Sequence, residues 1–200
     1  MTYDDAHLSR AIAALDAGEA VIFPTETVYG IAVAVGPAQS PEILYDIKGR
    51  DREKPIAWLV SNASALDVYG VMIPEFAHIL ARAFWPGPLT LIVKAADTVP
   101  AAFCSTNATI GLRMPANELA LKLIARIGVP LATTSANFAG AVAPQTLDEV
   151  DPALRARVGA VLGGDIDSSG VASTIIDCTQ GYPVLIRQGE ISMEEIVSLL

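Results

Sequence analysis

Short apolar runs and amphipathic stretches take turns along nearly the whole chain, and this alternation limits the possible folds more than any other feature. Leu8, Ile12 and Leu15 recur at helical spacing ahead of Gly18, and residues 20–23 then form an apolar run that ends at Pro24. Residues 30–35 read as a buried strand. Ser40, Pro41 and Glu42 supply an N-cap, a first-turn proline and an acid for a helix that turns Ile43, Leu44 and Ile47 inward and stops near Gly49. Strands are expected over 56–60, 89–94, 109–113 and 131–134, the third ending before Pro115. Helices are expected over 74–84 and between Asn117 and Gly128, the second with Leu119, Leu123, Ile124 and Ile127 on one face. Short strands follow at 160–162, 174–176 and 184–187, then a helix opened by the capping box Ser192-Met193-Glu194-Glu195. Strands and helices interspersed in this way predict an α/β fold on a mixed sheet.

A chain of 200 residues without repeats, low-complexity tracts or long linkers suits one domain, and no boundary is drawn within 1–200. Hydrophobic residues at 52% and charged residues at 18% exclude a disordered polymer. Charges, Gly or Pro interrupt every apolar stretch before the roughly 18 to 20 residues a membrane span needs. The opening Met1-Thr2-Tyr3-Asp4-Asp5 is acidic where a secretory signal is basic, so no export and no membrane association are expected. Cys104 and Cys178 are too few for a disulfide framework, and with His7 and His78 too dispersed for a zinc site. A reducing, cytoplasmic setting follows. Thirteen basic against 22 acidic residues give a net charge of −9, which argues against a surface that coats nucleic acid. An anion has to be held at a local basic site.

The densest basic cluster is Lys48-Gly49-Arg50-Asp51-Arg52-Glu53-Lys54, with four of the chain's 13 basic residues. A glycine-interrupted loop of this kind suits phosphate oxygens, or it is simply a solvated connection. Arg113 and Arg187 each close an apolar strand, where a cation can clamp a carboxylate or phosphate at a cleft or merely end the strand at the surface. Thr133-Thr134-Ser135-Ala136-Asn137 and Ser173-Thr174 offer hydroxyl and N–H donors to anions, or local caps and turns. Pro24 to Gly30 likewise combines turn formers with possible ligand contacts. Neither a G-x-x-x-x-G-K-[ST] loop nor a G-x-G-x-x-G fingerprint occurs, so Walker and Rossmann nucleotide binding are unsupported. His78 lies mid-helix, a poor place for a Ser/His triad, and no covalent nucleophile is assigned.

Seven segments in order resemble the motifs of the YrdC-like family of threonylcarbamoyl-AMP synthases: Pro24-Thr25-Glu26-Thr27-Val28-Tyr29-Gly30, Lys48-Gly49-Arg50, Trp85-Pro86-Gly87-Pro88-Leu89-Thr90, Arg113-Met114-Pro115, Thr134-Ser135-Ala136-Asn137, Ser173-Thr174-Ile175-Ile176-Asp177 and Arg187-Gln188-Gly189. The resemblance implies an open, twisted mixed sheet around a concave basic cavity, of the YrdC/RibB-like kind. It also implies formation of threonylcarbamoyl-AMP and pyrophosphate from L-threonine, bicarbonate and ATP, with Mg²⁺ accompanying ATP and no metal ligand from the protein. A tRNA threonylcarbamoyl transferase machinery downstream would consume the product. Carried over by motif position, Lys48 and Arg50 are the catalytic cations. With Lys54, Thr109, Ser135, Asn137 and Arg187 they would contact ATP, while Thr27, Arg113, Thr133 and Ser173 would hold threonine. Asp51, Leu59 and Ala139 depart from the family's frequent proline, histidine and serine. The chain also resembles the short form, without the additional C-terminal domain of longer relatives. A ribosome-associated or weakly RNA-binding module, and a related carbamoyl-adenylate-forming enzyme, are the competing readings.

Overall fold

A computed structural model describes residues 5–52, 54–163 and 168–200. In chain order the elements are α1 (Asp5–Asp16), β1 (Val21–Phe23), β2 (Gly30–Ala34), α2 (Glu42–Lys48), β3 (Ala57–Leu59), α3 (Ala65–Tyr69), β4 (Gly70–Val71), α4 (Glu75–Phe84) and β5 (Leu89–Ala95). A 3₁₀ turn at Ala101–Phe103 leads to β6 (Thr109–Arg113), α5 (Glu118–Ile127), β7 (Leu131–Ser135), α6 (Pro152–Arg155), β8 (Ala160–Val161), β9 (Thr174–Asp177), β10 (Val184–Arg187) and α7 (Met193–Ser198). The strands form one mixed sheet in the order β10-β9-β5-β6-β3-β7-β2-β1-β8, with β4 paired to the far end of β5. Parallel pairing joins β1 to β8, β3 to β6 and β5 to β9; the other neighbours run antiparallel.

The period of two along each strand divides the core between the sheet's faces. Ile22, Ile31, Val33, Trp58, Leu91 and Leu112 pack with α2 and α4 on one side. Val21, Phe23, Ala32, Ala34, Leu59 and Leu131 pack with α1 and α5 on the other. Helix α5 shows why that packing is stable: Asn117 accepts the Ala120 amide at 2.9 Å, Leu119, Leu123 and Ile124 are buried, and Gly128 ends the helix at φ 76°. Towards β3, β5 and β9 the face carrying α1 and α5 runs on with no helix among the described residues lining it. There it presents Gly30, Ala57, Thr90, Thr133 and Ile175, small or hydroxylated side chains that leave a hollow.

Most expected elements are present, with ends moved by a residue or so. The cap of α2 differs: Pro41 stands at the N-cap position and no side chain caps the helix, while Ser40 Oγ accepts the Glu42 amide at a long 3.4 Å. Proline one position early displaces serine from that role. The elements without a strong periodic signal, α3, β4, the 3₁₀ turn and α6, are five residues or shorter. Among the described residues no helix is long and apolar enough to cross a membrane. Cys104 and Cys178 are both free thiols, and burial beside Asp177 pushes the Cys178 thiol up to about 12. No group of three or more His, Cys, Asp or Glu among the described residues is placed to hold a metal ion.

Candidate active site

The hollow is a cavity of about 340 Å³, and Arg50, Arg113 and Arg187 reach it from three separate parts of the sequence. No Asp or Glu stands among its described lining residues. Burial lowers the Arg187 pKa, and so, in smaller measure, do the charges of Arg113 and Arg50.

Arg113 is held from three sides. Its Nε donates to the Gly87 carbonyl at 3.2 Å, and its Nη2 donates to Glu26 Oε1 at 2.6 Å and to Thr27 Oγ1 at 3.0 Å. Gly87 is in turn fixed by its own amide, which donates to the Met114 carbonyl at 2.8 Å. Proton bookkeeping then sets the character of Thr27. Thr25 Oγ1 gives its proton to the Val28 carbonyl at 2.7 Å, so in the 2.9 Å contact between Thr25 and Thr27 the latter is the donor. With its proton committed, Thr27 can offer a ligand only a lone pair. Thr133 is in the same condition, because its hydroxyl donates to the Leu131 carbonyl at 2.8 Å.

Arg187, at the end of β10, donates from Nε and Nη2 to the Ser173 carbonyl at 3.1 and 2.8 Å, and from Nη2 to Ser173 Oγ at 3.1 Å. Arg50 donates from Nη1 to Thr134 Oγ1 at 2.6 Å and from Nη2 to the Pro55 carbonyl at 3.3 Å, while its buried Nε has no partner among the described residues. Ser135 and Asn137 complete the same wall, Asn137 Nδ2 donating to the Phe138 and Ala141 carbonyls at 3.0 and 2.7 Å.

Three residues expected on the nucleotide side lie outside the cavity lining. Lys48 is 3% exposed and points behind the wall, where Nζ donates to the carbonyls of Ser135 and Asn137. Gly49 is the cause: at φ 59° it ends α2 in the left-handed conformation and reverses the chain, leaving Lys48 inside and bringing Arg50 forward. Burial, and then the Arg50 charge, lower the Lys48 pKa to about 8. Lys54 is exposed, and what its backbone carbonyl meets is the Tyr45 hydroxyl at 3.0 Å. Its neighbour Arg52 pairs with Glu42 and Asp46 in the open, so this end of the basic cluster is a solvated connection. Thr109 opens β6 at the end opposite Arg113 and shares a 2.6 Å hydroxyl contact with Ser105.

Two polar groups at the site carry no advance signal in composition or periodicity. Glu26 pairs with a residue 87 positions away. Thr90 lines the cavity and meets Ser173, 83 positions away, at 2.9 Å between hydroxyl oxygens. Each lies inside a segment whose family resemblance marks it, which is the one signal that points to them.

The family model described as "Telomere recombination", covering Sua5, YciO and YrdC, matches residues 13–189. A threonylcarbamoyl-AMP synthase of Pyrococcus abyssi (strain GE5 / Orsay) is 37% identical over 183 residues, covering 92% of this chain and 54% of the relative. A threonylcarbamoyl-AMP synthase of Bacillus subtilis (strain 168) is 34% identical over 201 residues, covering 100% of this chain and 58% of the relative. The chain therefore spans little more than half the length of these two relatives. The crystal structure of P. abyssi Sua5 complexed with L-threonine superposes with a TM-score of 0.92 at 35% identity, over 98% of this chain and 58% of that one.

Proposed function

The chain belongs to the Sua5/YciO/YrdC family, and on that premise we propose that it joins L-threonine, bicarbonate and ATP into threonylcarbamoyl-AMP with release of pyrophosphate, as a nucleotidyltransferase. The observation that carries this reading is the convergence of Arg50, Arg113 and Arg187 on one cavity whose described lining residues include no carboxylate. Every substrate of the reaction is an anion or bears a carboxylate. Guanidinium groups held by protein hydrogen bonds can neutralise such ligands with little reorganisation when they meet.

The chemistry asks for positioning above all. The threonine amine adds to carbon dioxide, formed from bicarbonate by loss of hydroxide, and gives up a proton to become a carbamate. A carbamate oxygen then attacks the α-phosphorus of ATP, and pyrophosphate leaves. Arg113, fixed by Glu26, Thr27 and the Gly87 carbonyl, suits the threonine carboxylate. Thr27 and Thr133, able only to accept, suit the N–H groups of the amine. Arg50 and Arg187 sit with Ser135 and Asn137 on the remaining wall, where they suit phosphate oxygens. Lys48 acts at one remove, by holding the carbonyls of Ser135 and Asn137.

Mg²⁺ belongs to the substrate in this reading. It would arrive on the phosphates of ATP and assist the departing charge. The product would pass to a tRNA-modifying transferase, a use that suits a cytoplasmic protein. The test incubates purified protein with labelled threonine, bicarbonate, Mg²⁺ and ATP, omits each in turn, and measures pyrophosphate and the labile adenylate. Dependence of both products on all the substrates is expected; pyrophosphate release without threonine would point to another acceptor.

A further inference from the structure

The hydroxyls of Thr90 and Ser173 are buried in the cavity wall, 3% and 5% exposed, with their oxygens 2.9 Å apart. Arg187 Nη2 donates into Ser173 Oγ at 3.1 Å. Two hydroxyls carry two protons, and only one proton can lie in the contact between them, so one remains without an acceptor among the described residues. A donor directed into an oxygen makes that hydroxyl a better donor in turn, which favours the ordered chain Arg187 to Ser173 to Thr90. The proton left over is then on Thr90. Its location is equally specific: Leu91 pairs with Leu112 in the antiparallel β5/β6 ladder, so Thr90 stands across from Arg113. Thr90 thus has Arg113 on one side and, through Ser173, Arg187 on the other.

We propose that Thr90 is a further substrate-binding residue, which donates its hydroxyl proton to an anionic oxygen, carboxylate or phosphoryl, held between Arg113 and Arg187. The inference rests on the reading of the cavity as a threonine and ATP site. The contrast with Thr27 and Thr133 sharpens it: those hydroxyls have committed their protons and accept, whereas the Thr90–Ser173 pair retains one to give. The cavity therefore separates the acceptors suited to an amine from a donor suited to an oxyanion.

Calorimetric titration of L-threonine and, separately, of Mg²⁺-ATP into wild type, Thr90→Val and Thr90→Ser decides the matter. Valine keeps the branched shape and removes the hydroxyl; serine keeps the hydroxyl. Thr90→Val is expected to weaken one of the two ligands by roughly tenfold or more, the scale of a hydrogen bond to a charged group, and Thr90→Ser to restore most of it. Loss confined to threonine identifies a carboxylate oxygen, and loss confined to ATP a phosphoryl oxygen. Unchanged binding of both ligands by Thr90→Val would overturn the proposal, as would equal losses in the valine and serine variants, which indicate packing. Wild type that binds neither ligand would instead remove the reading of the cavity on which the proposal stands.

Discussion

Arg113 Nη2 lies 2.6 Å from Glu26 Oε1, with the two side chains only 9% and 17% exposed. The other oxygen of that carboxylate, Oε2, is buried without a partner among the described residues. The pair therefore holds a guanidinium in place for a ligand while depending on it for its own neutralisation. Arg113→Ala is expected to weaken threonine binding by roughly 1.5 to 3 kcal/mol, ten- to a hundredfold or more. It should also destabilise the fold by about 3 to 5 kcal/mol, because Glu26 is left as an uncompensated buried charge. Adding Glu26→Gln should recover most of that stability and none of the threonine binding. Urea unfolding and threonine calorimetry on the single and double variants check both halves; equal stability of the two variants would contradict the buried-charge account.

Lys48 gives a pH signature of its own. In the unfolded chain its ammonium persists to about 10.5, whereas in the fold burial and the Arg50 charge bring it down to about 8. Between those values the unfolded state binds more protons, so this residue's contribution to stability rises with pH from about 8 upward. Function runs the other way. Deprotonation weakens the hold on the Ser135 and Asn137 carbonyls, so ATP affinity is expected to fall as pH rises through about 8, at the lower edge of that range. Urea midpoints and ATP titrations at intervals across that range test the opposed trends, and Lys48→Met should lose this contribution to the slope of stability.

The fate of the basic cluster shows what the sequence discloses and what it cannot. That a cation-rich loop follows α2 is legible from composition. Which cation faces the cavity is decided by the left-handed Gly49, a single backbone torsion that inverts the placing of Lys48 and Arg50. Arg113 and Arg187 are legible because a strand pattern fixes its own last residue, and strand ends frame clefts. The Glu26–Arg113 and Thr90–Ser173 pairs join residues more than 80 positions apart, and only the strand order brings them together. Thr109 shows a limit of reading by strand: it shares β6 with Arg113, yet four residues of extended chain carry it roughly 13 Å away.

Gly189 explains the last of the family segments on steric grounds. A Cβ there would come within 2.2 Å of the Ala172 carbonyl oxygen and 2.4 Å of the Ser173 carbonyl carbon, both backbone atoms that cannot swing aside. The second is the carbon of the carbonyl that Arg187 grips. Gly189→Ala is expected to cost about 1 to 3 kcal/mol or more and to weaken ligand binding through Arg187 and Ser173. Gly181→Ala, where an added Cβ meets nothing within 4 Å, serves as the control and should stay within about 0.5 kcal/mol. Thermal unfolding of the two variants is the measurement, and equal behaviour would remove the steric account.

Ala57 separates occupancy of the cavity from integrity of the fold. It lies in the floor, paired with Thr133 in the β3/β7 ladder, and its Cβ would be 3.6 Å from a Cβ added at Gly111. The extra carbons of Ala57→Leu would project into the open hollow and not into packed side chains, so the overpacking penalty of a core substitution should not arise. They would instead take the volume a ligand needs beside Arg113 and Thr133. Binding of L-threonine is accordingly expected to fall at least about tenfold, the effect of roughly 1.4 kcal/mol of lost contact, while the unfolding midpoint stays near that of the wild type. Threonine calorimetry beside thermal unfolding reads the two quantities separately. Retained threonine affinity in a folded Ala57→Leu variant would place the amino acid elsewhere in the cavity.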